Sequence, residues 1–278
     1  LGTWKIPETK YAEEKVTVRR LLGGNAGMPL GSIGVRYSPG SKDIPGLQEI
    51  LSREAFLFRE PGSGFFYSNT GFNILEHLIE EVTGRDFAAY MDEEILEPLG
   101  MNRASFEWSE DFDPPVPNGY GGEGEPIPVY VYPYDAAGDL FATIDDVTRF
   151  AAAAMPSFGS THRGVLSPET IETMHSSVSE MSGYYRLVFD GYGLGHFVEH
   201  VPRVNGGNTS REHLRVVSHG GQGSGWMTDF HAVPGTGDGI VILSNSQRTW
   251  PAFAYILSDW AGWIGLDPTS GLLTGESH

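Results

Sequence analysis

Residues 65–72, FFYSNTGF, place a tyrosine and an asparagine two positions apart, just before a long amphipathic segment. A tyrosine in a turn that opens a helix can act as a general base when nearby cations lower its pKa from about 10. Asn69 could point into the same cleft as Tyr67 and orient a substrate carbonyl or amide. Aromatic packing, with Asn69 as a helix cap, explains the same residues, because short motifs recur by chance.

A second stretch that could do chemistry is the glycine-rich run between two strand-like segments, His219-Gly220-Gly221-Gln222-Gly223-Ser224-Gly225. Glycine lets a ligand approach a strand backbone closely, and exposed backbone N–H groups can hold an oxyanion. The glycine spacing is not that of a dinucleotide-binding loop, and the pattern predicts no helix after it. A flexible hairpin with a surface histidine is the alternative explanation.

Composition excludes several classes of partner. The 278-residue chain has a formal net charge of −18, from 18 Lys and Arg against 36 Asp and Glu. This acidic excess argues against binding to nucleic acid or to an anionic membrane surface, since both are polyanions. The chain has no cysteine, so disulfides and thiol chemistry are excluded. No apolar run is long enough to predict a membrane span. The composition does not indicate a cellular compartment.

No metal ion or other cofactor is expected. His196 and His200 lie four positions apart with Glu199 between them, a spacing that suits zinc on a helix. The segment follows the strand-like run 192–195, however, and side chains four apart on a strand are too distant to share an ion.

Hydrophobic periodicity predicts helices in the first part of the chain and strands later. The strongest helix covers 72–83, where four apolar residues form a stripe and Gly84 ends it. Helices are expected at 16–22, 43–58, 72–83, 87–95, 145–154, from 167 onward and at 251–264. Strands are expected at 192–195, 214–218, 225–233 and 239–244, and residues 109–134 are predicted to form a long ordered loop.

This order of elements predicts an α+β fold in a single domain over 1–278. A lobe of helices and loops is expected over about 1–180, and an antiparallel sheet with a C-terminal helix over about 184–278. The chain contains no G-x-S-x-G elbow, which argues against a standard α/β-hydrolase.

Taken together, the two candidate stretches resemble the serine β-lactamase-related hydrolases, which include class C β-lactamases, D,D-peptidases (penicillin-binding proteins) and related esterases. Tyr67-Ser68-Asn69 looks like the Y-x-N motif of that family, and His219-Gly220-Gly221 looks like its K-T-G motif in an H-x-G form. Other similar stretches follow in order along almost the whole chain, among them 26–29, 97–101, 137–140 and 239–245. The resemblance implies a β-lactamase/transpeptidase-like fold, an α/β sandwich of an antiparallel sheet flanked by helices.

The first motif of that family, S-x-x-K, carries the acylated serine and the lysine that activates it. All four lysines of this chain lie in residues 1–42, and none has a serine three positions before it. The resemblance therefore implies a C-terminal portion of a longer protein, inactive by itself and incomplete at its N-terminus. Trp260, Trp263 and Ile264 are then expected to face water as an apolar patch, which the missing segment or a neighbouring subunit covers.

The resemblance also implies a two-step acyl transfer on a small amide, peptide or ester. A serine of the missing segment would attack the carbonyl, and Tyr67 with the missing lysine would pass the proton to the leaving group. Asn69 would hold the substrate and that lysine. The strand at Gly221 and Gln222 would supply an oxyanion N–H, most simply that of Gln222. His219 would bind a substrate carboxylate or tune Tyr67.

A rival hypothesis is a catalytically inactive protein that keeps the β-lactamase fold to bind or regulate and has lost S-x-x-K. Gly23-Gly24-Asn25 stand where the family usually has a Ser/Thr-His-Thr/Ser run, which weakens the case for a typical active enzyme. An S-x-x-K motif upstream of Leu1 in the coding sequence would favour the enzyme, and its absence would favour the inactive protein.

Overall fold

The computed structural model describes residues 1–31, 35–155, 165–181, 183–205 and 208–269. The chain divides into two compact units. The first unit comprises Leu1–Pro117 and Pro128–Asp146, and the second comprises Asn118–Ile127 and Val147–His278. The boundary after Asp146 lies about 35 residues before the change of lobe expected near residue 180. The second unit also includes Asn118–Ile127, a segment that lies within the sequence of the first unit. That the whole chain acts as one domain stays a prediction.

Helices build the first unit. They are α1 (Val18–Leu22), α2 (Leu47–Glu54), α3 (Asn69–Thr83), α4 (Phe87–Met91) and the start of α5 (Ile144–Ala153), with a π-helical turn at Asp92–Leu96. The apolar stripe of α3 packs inward only in part: Leu75 is buried, whereas Val82 near the end of the helix is 74% exposed, and Glu76 is buried instead of facing solvent. Gly84 ends the helix with a φ of 68°, a left-handed conformation that favours glycine. The core of the unit joins residues from five segments: Trp4, Leu21, Met28, Leu51, Ile74 and Leu75.

The second unit is an antiparallel sheet with helices. The six strands follow one another as a meander in the order β3-β4-β5-β6-β7-β8. They are β3 (Ser179–Glu180), β4 (Gly191–Tyr192), β5 (Phe197–Asn205), β6 (Asn208–Gln222), β7 (Met227–Val233) and β8 (Asp238–Ser244), accompanied by α6 (Pro168–Met174) and α7 (Trp250–Trp263). The sequence pattern did not predict β5. It predicted only a third of β6, because the exposed N-terminal half of that strand lacks the apolar residues that would have indicated it.

Residues 109–134, predicted to be a loop, contain a two-stranded hairpin. Strands β1 (Gly119–Tyr120) and β2 (Pro126–Ile127) pair antiparallel, and this hairpin belongs to the second unit. With only two residues each, these strands are too short for alternation of apolar and polar residues to reveal them.

Both faces of the large sheet are buried. Val216 packs with Leu257 and Trp260 of α7, whereas Val217 packs with Met155 and Ala232. Consecutive strand residues point to opposite faces, so the two clusters lie on either side of the sheet. The expectation that Trp260 faces water is therefore wrong: its side chain is 7% exposed because it fills the core under α7.

The outer face of α7 is nonetheless apolar. Trp263 is 84% exposed and Tyr255 76%, with Ile256 also exposed, whereas Ile264 is half-buried. No helix within the described ranges combines the length and apolarity needed to cross a bilayer.

Candidate active site

The turn that carries Tyr67 is fixed by its neighbour Ser68. The Ser68 Oγ accepts a hydrogen bond from the N–H of Gly71 at 3.0 Å and donates one to the carbonyl of Pro29 at 2.6 Å. The helix α3 therefore has Ser68 as its N-cap, and Asn69 is the first helical residue instead of the cap considered from the sequence. Tyr67 and Asn69 flank the buried Ser68, and each of them is partly exposed to solvent.

A glycine turn holds the aromatic residues in front of Tyr67. Gly24 has a φ of 63°, and its carbonyl accepts the N–H of Phe66 at 2.7 Å. A Cβ added at Gly24 would lie 2.6 Å from the Phe65 ring, a distance that real side chains do not adopt. Glycine at position 24 thus lets Phe65 pack directly against the turn.

The end of β6 forms an open strand edge. Pairing with β5 stops at Phe197 and Ser218, so no described strand continues the ladder beside Gly220 and Gln222 on that side. The N–H of Gly223 donates to Trp226 across the β6–β7 hairpin at 3.0 Å, and backbone direction alternates along an antiparallel strand. The N–H groups of Gly220 and Gln222 therefore point to the open edge.

Gly221 faces the other way. Its N–H and carbonyl point to β7, and its carbonyl accepts the Thr228 hydroxyl at 3.5 Å. Of the two residues expected to supply an oxyanion donor, only Gln222 therefore directs its N–H to the open edge, whereas the backbone of Gly221 is directed to β7. A Cβ at Gly221 would meet Thr228 Oγ1 at 2.6 Å, so glycine is needed for close packing of the strands.

His219 lies in an aromatic and largely apolar setting. Its ring centroid is 5.5 Å from that of Phe197 and 6.5 Å from that of Tyr192. Its Nδ1 is 2.8 Å from the carbonyl of Gly220. Burial lowers the pKa of His219, and this effect outweighs the hydrogen bond to Gly220 and the charge of Asp229, which raise it. The setting opposes the expected role of His219 as a cationic carboxylate binder.

The hairpin of β1 and β2 adjoins the turn that follows Gln222. A Cβ on Gly119 would lie 2.8 Å from the Cα of Gly225 and from the Trp226 ring. At the neighbouring end of β8, Asn245 Nδ2 donates to the Asn118 carbonyl at 3.0 Å. The open end of β6 is thus flanked by residues that sequence reasoning did not select, because their proximity depends on long-range pairing.

A buried cluster of carboxyl groups is the main feature of the first unit that the sequence did not reveal. Glu76 of α3 accepts the N–H groups of Asp135 at 2.9 Å and Ala136 at 2.8 Å, and Asp139 accepts that of Tyr132 at 2.9 Å. Burial raises the pKa of Glu76 to about 8, that of Asp135 to about 6 and that of Asp139 to about 7. Glu76 therefore holds the turn at 132–139 to α3, and Asp139 bonds within that turn.

The second unit contains a buried pair of histidines. The rings of His175 and His196 are 5.2 Å apart in an edge-to-face arrangement, and both are almost fully buried. Burial lowers the pKa of His175 to about 4 and that of His196 to about 3. His200 lies on the exposed part of β5 beside Asp190. Within the described residues no group of three or more His, Cys, Asp or Glu is arranged to hold a metal ion.

The predicted site residues therefore fall into two groups. Tyr67 and Asn69 come together at the start of α3 in the first unit. His219, Gly221 and Gln222 come together at the open end of β6 in the second unit.

Comparison with known proteins places these groups in context. The Beta-lactamase family model matches residues 4–256. The Homo sapiens protein beta-lactamase-like 1 is 27% identical over 200 residues, which are 71% of this chain and 37% of that protein. A D-aminopeptidase from Brucella anthropi is 34% identical over 99 residues, which are 34% of this chain and 19% of that protein.

Solved structures have the same fold. An octameric penicillin-binding protein homologue from Pyrococcus abyssi superposes with a TM-score of 0.66 at 25% identity, covering 92% of this chain and 57% of that one. This chain thus spans well under two thirds of the length of these relatives. The match over residues 4–256 and the shared antiparallel sheet with its helices establish that the chain belongs to the beta-lactamase family and has the β-lactamase/transpeptidase-like fold.

Proposed function

We propose that this chain is part of a serine hydrolase that cleaves an amide or ester through an acyl-enzyme. The observation that carries the proposal is the open edge of β6, where the N–H of Gln222 is unpaired within the described strands beside His219. A backbone N–H fixed by a strand is a suitable donor for an oxyanion, because it needs no reorganisation during the reaction.

The nucleophile comes from outside the 278 residues. A serine of an S-x-x-K segment attacks the substrate carbonyl carbon, and its proton passes through Tyr67 and the lysine to the leaving nitrogen or oxygen. The bond to the leaving group breaks, and water then hydrolyses the acyl-serine. Asn69 orients the substrate, and Gln222 donates to the oxyanion in both steps.

Amides of D-amino acids are the first substrates to test. The D-aminopeptidase relative supports this choice. The full-length protein is expected to release p-nitroaniline from D-alanine p-nitroanilide. The Tyr67→Phe variant should lose at least about 100-fold in kcat/KM, the usual contribution of a general acid–base group.

Two results decide between this proposal and its rival. Turnover that depends on Tyr67 supports the hydrolase. A full-length protein that carries no S-x-x-K and hydrolyses neither amides nor esters supports an inactive binding protein of the same fold.

The apolar outer face of α7 is the proposed contact for the missing part of the protein. Trp263, Tyr255 and Ile256 form an exposed apolar surface of a kind that soluble monomers rarely leave uncovered. The upstream segment covers this face in the proposal, and a neighbouring subunit is the alternative. Protection of the α7 amides from hydrogen exchange in the full-length protein, relative to residues 1–278 alone, tests this contact.

A further inference from the structure

The charge of His219 decides which substrates the end of β6 can accept. The Gly220 carbonyl points to the open edge, where no described strand supplies a donor, and His219 Nδ1 lies 2.8 Å from it. A carbonyl oxygen can only accept, so Nδ1 carries a proton. This hydrogen bond holds the ring in one orientation and fixes its tautomer.

A second proton on the ring would be unfavourable. The ring packs against Phe197 and Tyr192, which replace water on that side.

Asp229 is the nearby group that favours a charged His219. It lies on β7 opposite Gly220, and its carboxylate is 3.2 Å from Nε2 of the buried His231. The balance of these groups leaves the ring of His219 uncharged at neutral pH.

We infer that His219 meets the substrate as a neutral, Nδ1-protonated ring, so that the site selects substrates whose group beside β6 is an uncharged amide, ester or continuing peptide instead of a carboxylate. This inference rests on the proposed function, which it makes more specific. It departs from the carboxylate-binding role first expected for this position.

The protonation state is tested on the full-length protein. Histidine side chains are labelled with ¹⁵N, the His219 signals are assigned by their loss in His219→Asn, and their shifts are followed from pH 5 to 8. The expected result at pH 7 is a protonated Nδ1 and an unprotonated Nε2. A ring with both nitrogens protonated at pH 7 would overturn the inference.

Substrate selection is tested on the full-length protein with two matched peptides, D-alanyl-D-alaninamide and D-alanyl-D-alanine, which differ only in the terminal charge. The carboxamide should be preferred by at least about tenfold in kcat/KM, since the neutral ring of His219 offers a carboxylate no counter-charge. His219→Asn keeps an uncharged donor at the position of Nδ1 and should keep this preference. His219→Lys introduces a cation and should shift the ratio toward the carboxylate.

A wild-type preference for the carboxylate overturns the inference even if hydrolysis itself is efficient. If neither peptide is hydrolysed, the proposed function has failed, and the two peptides are compared by binding instead. Tighter binding of the carboxylate, or no binding of the carboxamide, then overturns the inference separately.

Discussion

Replacing Glu76 by a side chain that cannot ionise should change how the stability of the first unit depends on pH. Glu76 is buried and accepts two backbone N–H groups from the turn at 132–139. Burial raises its pKa from an ordinary value of 4.5 to about 8. The folded state therefore binds a proton that the unfolded chain releases at lower pH. The contribution of this carboxyl group is fully present below about pH 4.5 and is lost as pH rises to about 8.

The magnitude follows from the pKa difference. One pKa unit corresponds to about 1.4 kcal/mol, so ionising Glu76 costs roughly 4–5 kcal/mol more in the folded state than in the unfolded state. Relaxation of the turn and entry of water reduce this cost, and we expect about 3 kcal/mol to be measured. Glu76→Gln keeps an acceptor for the two N–H groups and cannot ionise. The variant should be slightly less stable than the wild type at pH 5 and more stable at pH 8.

The assay is denaturant unfolding combined with hydrogen exchange at the amides of Asp135 and Ala136, each compared with wild type at the same pH from 5 to 8.5. Glu110→Gln makes the same chemical change at an exposed position and should leave the pH dependence unchanged. Wild-type and Glu76→Gln curves that stay parallel over this range would refute the reasoning.

Three further predictions concern other positions. Replacing the buried histidine in His175→Phe should flatten the acid side of the stability profile of the second unit. Because the pKa values of His175 and His196 are lowered in the folded state, the wild type loses stability as pH falls from about 6.5 toward 4. Denaturant unfolding measures this loss, and the exposed control His213→Phe should keep it. Ser68→Ala removes the cap of α3 and should cost about 1–2 kcal/mol in chemical unfolding. The exposed Ser52→Ala should cost less, and equal losses would argue against the cap. Gly24→Ala should lower the melting temperature more than Gly40→Ala. Both glycines have positive φ, but only at Gly24 would an added Cβ collide with the ring of Phe65. Equal shifts would show that the collision with Phe65 does not matter.

The elements with strong local patterns were predictable from the sequence. The apolar stripe and Gly84 predicted α3 to within three residues of its start, and the Ser167-Pro168 pair marked the beginning of α6. The closing helix agreed with α7 to within one residue at each end. These signals are local, since a cap, a stop residue and a 3.6-residue period all lie within one segment.

Features that depend on pairing between distant segments were not predictable. The open edge at 219–222 exists because β5 ends opposite Ser218, which no local pattern in β6 could indicate. The burial of Trp260 was missed for the same reason, because it depends on which face of α7 lies on the sheet. The carboxyl cluster was hidden too, since Glu76 and Asp135 are 59 positions apart.

The central claim is that a serine outside residues 1–278 forms a covalent acyl-enzyme with the help of Tyr67. Intact-mass spectrometry of the full-length protein, quenched during turnover of a D-amino acid ester and followed by peptide mapping, measures this directly. The account predicts one acyl group on the serine of an upstream S-x-x-K, with much slower accumulation in Tyr67→Phe and none on residues 1–278 alone. An acyl group mapped to a residue within 1–278, or turnover without any covalent intermediate, would contradict it.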